Sequence, residues 1–150
     1  MSDINNKSYG KRTDKAMKTV VRLERVRLKN HNLTVNYLSN HNLTFNQFKV
    51  LEVLYHVGNL NISSITKLTM STPGNITVVV KNLKRDGWIN SIKDPDDNRA
   101  SILTITQKGK KVIEEVFPNH AKNLTNFFEV LDDKELDTLY DLLNKVYKEN

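Results

Sequence analysis

The residues of this chain best suited to chemistry on a partner lie between Ser71 and Arg99. Within Pro73–Asp86, Gly74, Val78, Lys81 and Arg85 recur at helical spacing, with Thr77, Asn82 and Lys84 on the flanks and Ser71, Thr72 and Asn75 at the head. Small residues let a helix sink towards a base-pair floor. Thr and Asn can bond base edges, a Val can meet a thymine methyl, and Lys and Arg can neutralise phosphates. An ordinary solvated helix face has the same kind of composition, so the helix alone does not decide between the two readings.

The hairpin after it shifts the balance towards the first. Trp88–Ile92 and Ser101–Ile105 are rich in residues that suit strands. Between them Asp94-Pro95-Asp96-Asp97-Asn98-Arg99 makes a polar turn that presents Arg99 at its tip, where a minor-groove probe would stand. A helix, a tight connection, a second helix and a hairpin together spell a winged helix, in which the second helix enters the major groove.

Catalytic groupings are missing. The four His, at 31, 41, 56 and 120, show no metal-ligand spacing, and there is no Gly-rich phosphate loop or nucleophile elbow. Asp94, Asp96 and Asp97 lack the Gly and distal Glu of a calcium loop and read as turn residues. No enzyme activity, cofactor or metal is expected.

The element order positions the reading face. Thr72 is the expected N-cap of the second helix, Pro73 its first residue and Gly87 its left-handed stop, with Ile76, Val79, Val80 and Leu83 on the core face. Ile62–Met70 is expected as the support helix, its Ile62, Ile65 and Leu68 packing on Ile76, Val79 and Val80. Upstream, Thr44 and Gln47 form a capping box with Leu43 and Phe48 as its staple; Phe48, Leu51, Leu54 and Tyr55 make the core face, and Gly58 ends that helix. Residues 1–12 read as a polar, frayed tail, and a long basic helix is expected from Thr13 to Ser39. After the hairpin Thr106 caps a helix that Pro118 should kink or break near Phe117, and Asp132-x-x-Glu135 is a second capping box opening the last helix.

These residues carry a family resemblance. Ile65 and Leu68, Asn75-Ile76-Thr77, Leu83-Lys84-Arg85-Asp86-Gly87, the Asp97-x-Arg99 wing and Leu103-x-Ile105-Thr106-x-x-Gly109 resemble the MarR family of winged-helix regulators. Phe117-Pro118-Asn119-His120-Ala121 and Leu54-Tyr55-His56-x-Gly58 resemble its branch that senses quinones and other phenolic compounds. Ser91 and Asn98 stand where the family often carries basic residues. The resemblance implies a mainly α fold with a small β-hairpin wing (α+β). Its winged helix-turn-helix core spans 43–105, and dimerisation helices at 13–39 and 107–148 flank it within one domain, 1–150. It also implies an effector pocket between dimer helices and winged domain. Tyr37, Phe48, Tyr55, His56, Phe117 and His120 are the candidate lining residues, since aromatic walls with a few polar groups suit a small aromatic effector.

Composition agrees with a polyanionic partner: net charge is +6 and the isoelectric point is near 9.5. Residues 1–40 hold nine Lys/Arg against three Asp/Glu, whereas residues 106–150 hold seven against nine. With no cysteine there are no disulfides and no thiol sensing, which is compatible with a cytoplasmic setting. No apolar run approaches the ~18 residues of a spanning helix, and the first residues lack a signal-peptide core.

The expected function is sequence-specific recognition of double-stranded DNA. The expected form is a homodimeric repressor on an inverted-repeat operator, released by a small aromatic or phenolic effector. DNA-binding residues are expected at Ser71, Thr72, Gly74, Asn75, Thr77, Val78, Lys81, Lys84, Arg85, Asp97, Asn98 and Arg99. The competing reading is a winged-helix protein-interaction module without DNA, which has no use for Lys81, Arg85 and Arg99 on one side. A membrane-surface role for the basic first helix is a third reading, weakened by the lack of Trp or Phe on that helix.

Overall fold

The structure, a computed structural model, describes residues 7–150. In chain order it holds α1 (Lys11–Ser39), α2 (Phe45–Val57), β1 (Leu60–Asn61), α3 (Ile62–Leu68), α4 (Pro73–Arg85), β2 (Ile89–Lys93), β3 (Ser101–Ile105), α5 (Gln107–Phe127) and α6 (Asp133–Glu149). Of the tail expected at 1–12, residues 1–6 lie outside the described residues. α1 starts at Lys11 rather than Thr13 because Asp14 fastens its first turn. The Asp14 carboxylate accepts the Ser8 hydroxyl at 2.6 Å and the Tyr9 N–H at 2.9 Å. Those bonds, Ser8 first, hold its carboxyl below the usual carboxylate range.

α2 is the centre of the core. Its capping box forms as the sequence requires: the Gln47 N–H reaches the Thr44 hydroxyl at 3.1 Å and the Thr44 N–H reaches Gln47 Oε1 at 3.0 Å. The staple residues Leu43 and Phe48 are buried. Phe48, Val50, Leu51 and Leu54 pack against Ile65 of α3, Ile76, Val80 and Leu83 of α4, and Ile113 and Val116 of α5. Full burial of one such Leu or Phe contributes roughly 1.5–3 kcal/mol, so this cluster fixes how α4 is presented. Two expected core positions are instead on the surface: Tyr55 is 37% exposed and Leu68 50%. Tyr55 starts the last turn of α2, where the covering helix α5 leaves its edge open. Leu68 ends a seven-residue helix too short to bury more than one side.

The wing is a three-stranded antiparallel sheet ordered β1-β3-β2. Its register pairs Ile89 with Ile105 and Lys93 with Ser101, and β1 adds Leu60 opposite Leu103. Sequence pattern alone makes β1 a turn; two residues carry no periodicity for a strand to announce itself. Gly87 adopts a left-handed φ of 75° at the end of α4, as its position required.

Pro118 does not break the helix after the wing: α5 runs continuously from Gln107 to Phe127 through it. Proline removes one intrahelical donor, and here both Pro118 and Glu114, whose carbonyl loses that donor, are exposed to water. The other face of α5 is anchored by buried Ile113, Val116 and His120. No residue of α6 is buried, although its capping box forms between Asp132 and Glu135. Met17, Val20, Val21 and Leu28 of α1 are likewise 49–60% exposed. Among the described residues no helix is long and apolar enough to cross a membrane.

Candidate nucleic-acid interface

α4 begins where its residue types dictate. The Thr72 hydroxyl accepts the Asn75 N–H at 3.3 Å, and Pro73 occupies the first turn, where its missing donor is harmless. Ile76, Val80 and Leu83 turn inward and are buried. This leaves Gly74, Asn75, Thr77, Val78, Lys81, Lys84 and Arg85 exposed on one helix, with Ser71 half-buried at its approach. Val78 is 60% exposed, open to an apolar partner. Nothing in the chain lies within 4 Å of a Cβ built on Gly74, so no internal packing demands glycine there.

Two of these side chains are partly engaged. The Thr77 hydroxyl donates to the Pro73 carbonyl at 2.9 Å, which leaves its oxygen free to accept. Arg85 Nε lies 3.1 Å from Asp86 Oδ1, so its charge is shared, whereas no carboxylate partner is found for Lys81 or Lys84 among the described residues.

The wing tip is tied by its own carboxylates. Asp94 Oδ1 accepts the Asp96 N–H and Asp97 Oδ1 the Arg99 N–H, both at 2.9 Å. The Asp94 N–H reaches the Ala100 carbonyl at 3.1 Å, closing the loop. Asp97, Asn98 and Arg99 are all exposed. Lys93, exposed at the end of β2, borders the same loop and adds a cation that the sequence reading missed; its place beside the polar turn was the available signal.

The base of the wing is locked to α4 and α5. The Thr106 hydroxyl accepts the Gly109 N–H at 3.1 Å and donates to the Gly87 carbonyl at 2.7 Å. Lys108 Nζ donates to the Asp86 carbonyl at 2.8 Å, a clamp that no sequence motif announced. Gly109 packs so closely that a Cβ there would collide with the Trp88 carbonyl. These contacts tie α4, the wing and the start of α5 together at their shared base.

Of the six residues named for an effector, five form a continuous run of rings. Centroid distances are 4.9 Å for Phe48–His120, 5.8 Å for His120–Phe117, 4.5 Å for Phe117–His56 and 5.0 Å for His56–Tyr55. Phe48 and His120 are buried in the core, Phe117 is half-buried, and Tyr55 and His56 reach the surface. Burial lowers the His120 pKa, partly opposed by Glu52. Tyr37 stands apart: its hydroxyl donates to the Val116 carbonyl at 2.8 Å, and burial raises its pKa. A concavity of about 310 Å3 between α1 and α5 is lined by Leu33, Thr34, Asn123, Leu124 and Phe127 among others, and none of the six lines it. No group of three or more His, Asp or Glu among the described residues is placed to hold a metal ion.

Comparison with known proteins agrees with this geometry. The sequence profile of the MarR family matches residues 43–101, the stretch from just before α2 to the first residue of β3. The HTH-type transcriptional regulator MhqR of Bacillus subtilis is 28% identical over 134 residues, spanning 89% of this chain and 92% of that protein. A mutant MarR from E. coli, solved in complex with operator DNA, superposes with a TM-score of 0.79 at 24% identity, covering 91% of this chain and 99% of that one. BpsR of Bordetella bronchiseptica, solved in a study of how 6-hydroxynicotinic acid regulates its DNA binding, superposes with a TM-score of 0.77. Its identity is 25%, covering 87% of this chain and 98% of that one.

Proposed function

Because the chain belongs to the MarR family of winged-helix, DNA-binding transcriptional regulators, we propose that it is a cytoplasmic homodimeric repressor. It would bind an inverted-repeat operator and be released by a small aromatic effector. The observation that carries the DNA reading is the exposed face of α4, with Val78, Lys81 and Lys84 open, on the same locked unit as Arg99. Ser71, Thr72, Gly74, Asn75, Thr77 and Arg85 complete the helix face, and Asp97 and Asn98 the wing. In twofold symmetry two copies of α4 present the same residues in opposite directions. The half-site centres should then lie about one helical turn apart, ~34 Å.

The homodimer is supported by the unburied faces of α1 and α6. Leu136, Tyr140, Leu143, Val146 and Tyr147 are 38–83% exposed, too much apolar surface for a lone protomer to leave in water. Charge favours the same partner: Lys11, Lys15, Lys18, Arg22 and Arg25 recur along α1, and Asp133, Asp137 and Asp141 along α6. Release by an aromatic ligand rests on the ring run from Tyr55 to Phe48, which joins the surface of α2 to the core beside α5. Regulation of BpsR by 6-hydroxynicotinic acid supports the ligand class.

The test is a mobility shift at low salt on random duplex DNA, with sequencing of the retained fragments and light scattering of the free protein. The expected result is a dimer that selects a palindrome, and a Leu139→Glu/Leu143→Glu chain that is monomeric or unfolded. Failure to retain any duplex would leave the winged helix as a protein-interaction module instead.

A further inference from the structure

Three helices of this chain end with the same backbone device. After α1, the Leu43 N–H reaches the Leu38 carbonyl at 3.1 Å and the Asn42 N–H the Ser39 carbonyl at 3.2 Å. After α4, the Trp88 N–H reaches Leu83 at 3.0 Å and the Gly87 N–H Lys84 at 3.1 Å. After α3, the Ser71 N–H reaches Thr66 at 3.1 Å and the Met70 N–H Lys67 at 3.2 Å. Each is a Schellman ending, which places one residue in the left-handed region. The values of φ are 56° at Asn42, 75° at Gly87 and 52° at Met70.

Asn and Gly are the residues that tolerate this conformation; Met is not. The other two endings also carry the apolar latch that usually accompanies the motif, Leu43 on Leu38 and Trp88 on Leu83, all buried or half-buried. The α3 ending sets Ser71 against Thr66 and has no latch. Its strain is held by the surroundings. The buried Thr69 hydroxyl donates to the Ile65 carbonyl at 2.7 Å, Lys49 Nζ donates to the Thr69 carbonyl at 3.4 Å, and the Thr72 cap comes directly after. Met70 gains no burial in return. It is 85% exposed, the most exposed large apolar side chain among the described residues. It borders a concavity of about 730 Å3 shared with Ser64, Thr66, Lys67, Ser71 and Pro73, at the head of the reading helix. Strain without packing reward points to an external contact.

We infer that Met70 is a DNA-contacting residue of this chain. Its thioether side chain meets the apolar surface of a DNA strand, a thymine methyl or a deoxyribose, where α4 enters the groove. Lys67 and Ser71 stand beside it to take the phosphates. The inference rests on the operator-binding reading above.

Anisotropy titration of a duplex selected by the wild-type chain tests it, with Met70→Asn and Met70→Gly copying the chain's own endings and Met70→Leu keeping an apolar side chain. Met70→Asn and Met70→Gly should melt at or above the wild-type temperature and bind about fourfold or more weakly, the fold-change expected for each CH2 no longer buried. Met70→Leu should bind within about twofold of wild type, since it buries a similar apolar area. Replacing thymine by uracil assigns the contact: loss of the wild-type advantage over Met70→Asn marks a methyl, and its persistence marks the sugar. Asn and Gly variants that bind as tightly as wild type overturn the inference alone, as does a Met70→Leu chain that falls with them. A wild-type chain that retains no duplex at low salt overturns the parent reading and this inference together.

Discussion

The Asp97 carboxylate accepts the backbone N–H of Arg99, with Oδ1 2.9 Å from the nitrogen. One acidic side chain thus sets the backbone from which the wing's basic side chain projects. The same oxygen type one residue pair earlier, Asp94 Oδ1 on the Asp96 N–H, braces the other side of the tip.

Arg99→Ala should weaken operator binding by roughly 1–3 kcal/mol, the magnitude of a lost groove contact. Asp97→Ala should lose a fraction of that, because Arg99 remains but its backbone is no longer braced. Asp97→Asn, which keeps an acceptor oxygen, should stay close to wild type. Anisotropy titration of the three variants measures this, with circular dichroism to verify the fold; equal affinity for Arg99→Ala and wild type would remove the wing from recognition.

Salt dependence should separate the cations of α4. Log affinity should fall against log salt with a slope of about −0.9 per phosphate neutralised. Lys81→Ala and Lys84→Ala should each flatten it by about one per chain. Arg85→Ala should flatten it less, since Arg85 already shares its charge with Asp86 at 3.1 Å. Thr77→Ala should shift the selected bases and leave the slope nearly alone. Titrations from low to moderate salt decide the matter, and a change of selected bases for Lys84→Ala would show that the helix face is turned the other way.

Gly109→Ala should destabilise the chain by about 1–3 kcal/mol, the range for overpacking. The added Cβ would meet the Trp88 carbonyl, which is backbone and cannot rotate aside, and Ile105 Cγ1 at 2.8 Å. Thermal melting reads the loss. Gly74→Ala, with open space around its Cβ, should melt no lower than wild type and instead weaken DNA binding.

Acid should destabilise the junction of α2 and α5 through His120. Its pKa is lowered in the fold by burial, so the unfolded chain takes up its proton first as pH falls. Stability is then complete above the unfolded value of about 6.5 and declines from there towards the lower folded value. His120→Gln should flatten the melting temperature between roughly pH 7.5 and 5.5 relative to wild type. Identical slopes for the two proteins would mean that His120 is not the group responsible.

Much of the architecture was written locally. The Thr44/Gln47 and Asp132/Glu135 boxes, the Thr72-Pro73 start and the Gly87 stop each need only neighbours within one turn, and each forms as its residue types require. The exposed face of α4 comes from the same short-range logic, because Ile76, Val80 and Leu83 select which side turns inward. Arg99 at the wing tip is set by two strand-forming runs and a polar turn.

The features that the sequence left open depended on contacts distant along the chain. Pro118 looks like a breaker until α5 is seen anchored by Ile113, Val116 and His120, with Pro118 and Glu114 on its exposed side. β1 exists only because β3 offers Leu103 and Ile102 as partners. The joining of Phe48 to His120 and of His56 to Phe117 brings together residues more than sixty positions apart. The conformation of Met70 is likewise imposed by Thr69, Lys49 and the Thr72 cap, against its own preference. Local pattern sets where helices and strands begin and end; which residues meet is decided by packing, since it is the burial of α2 that brings the other elements together.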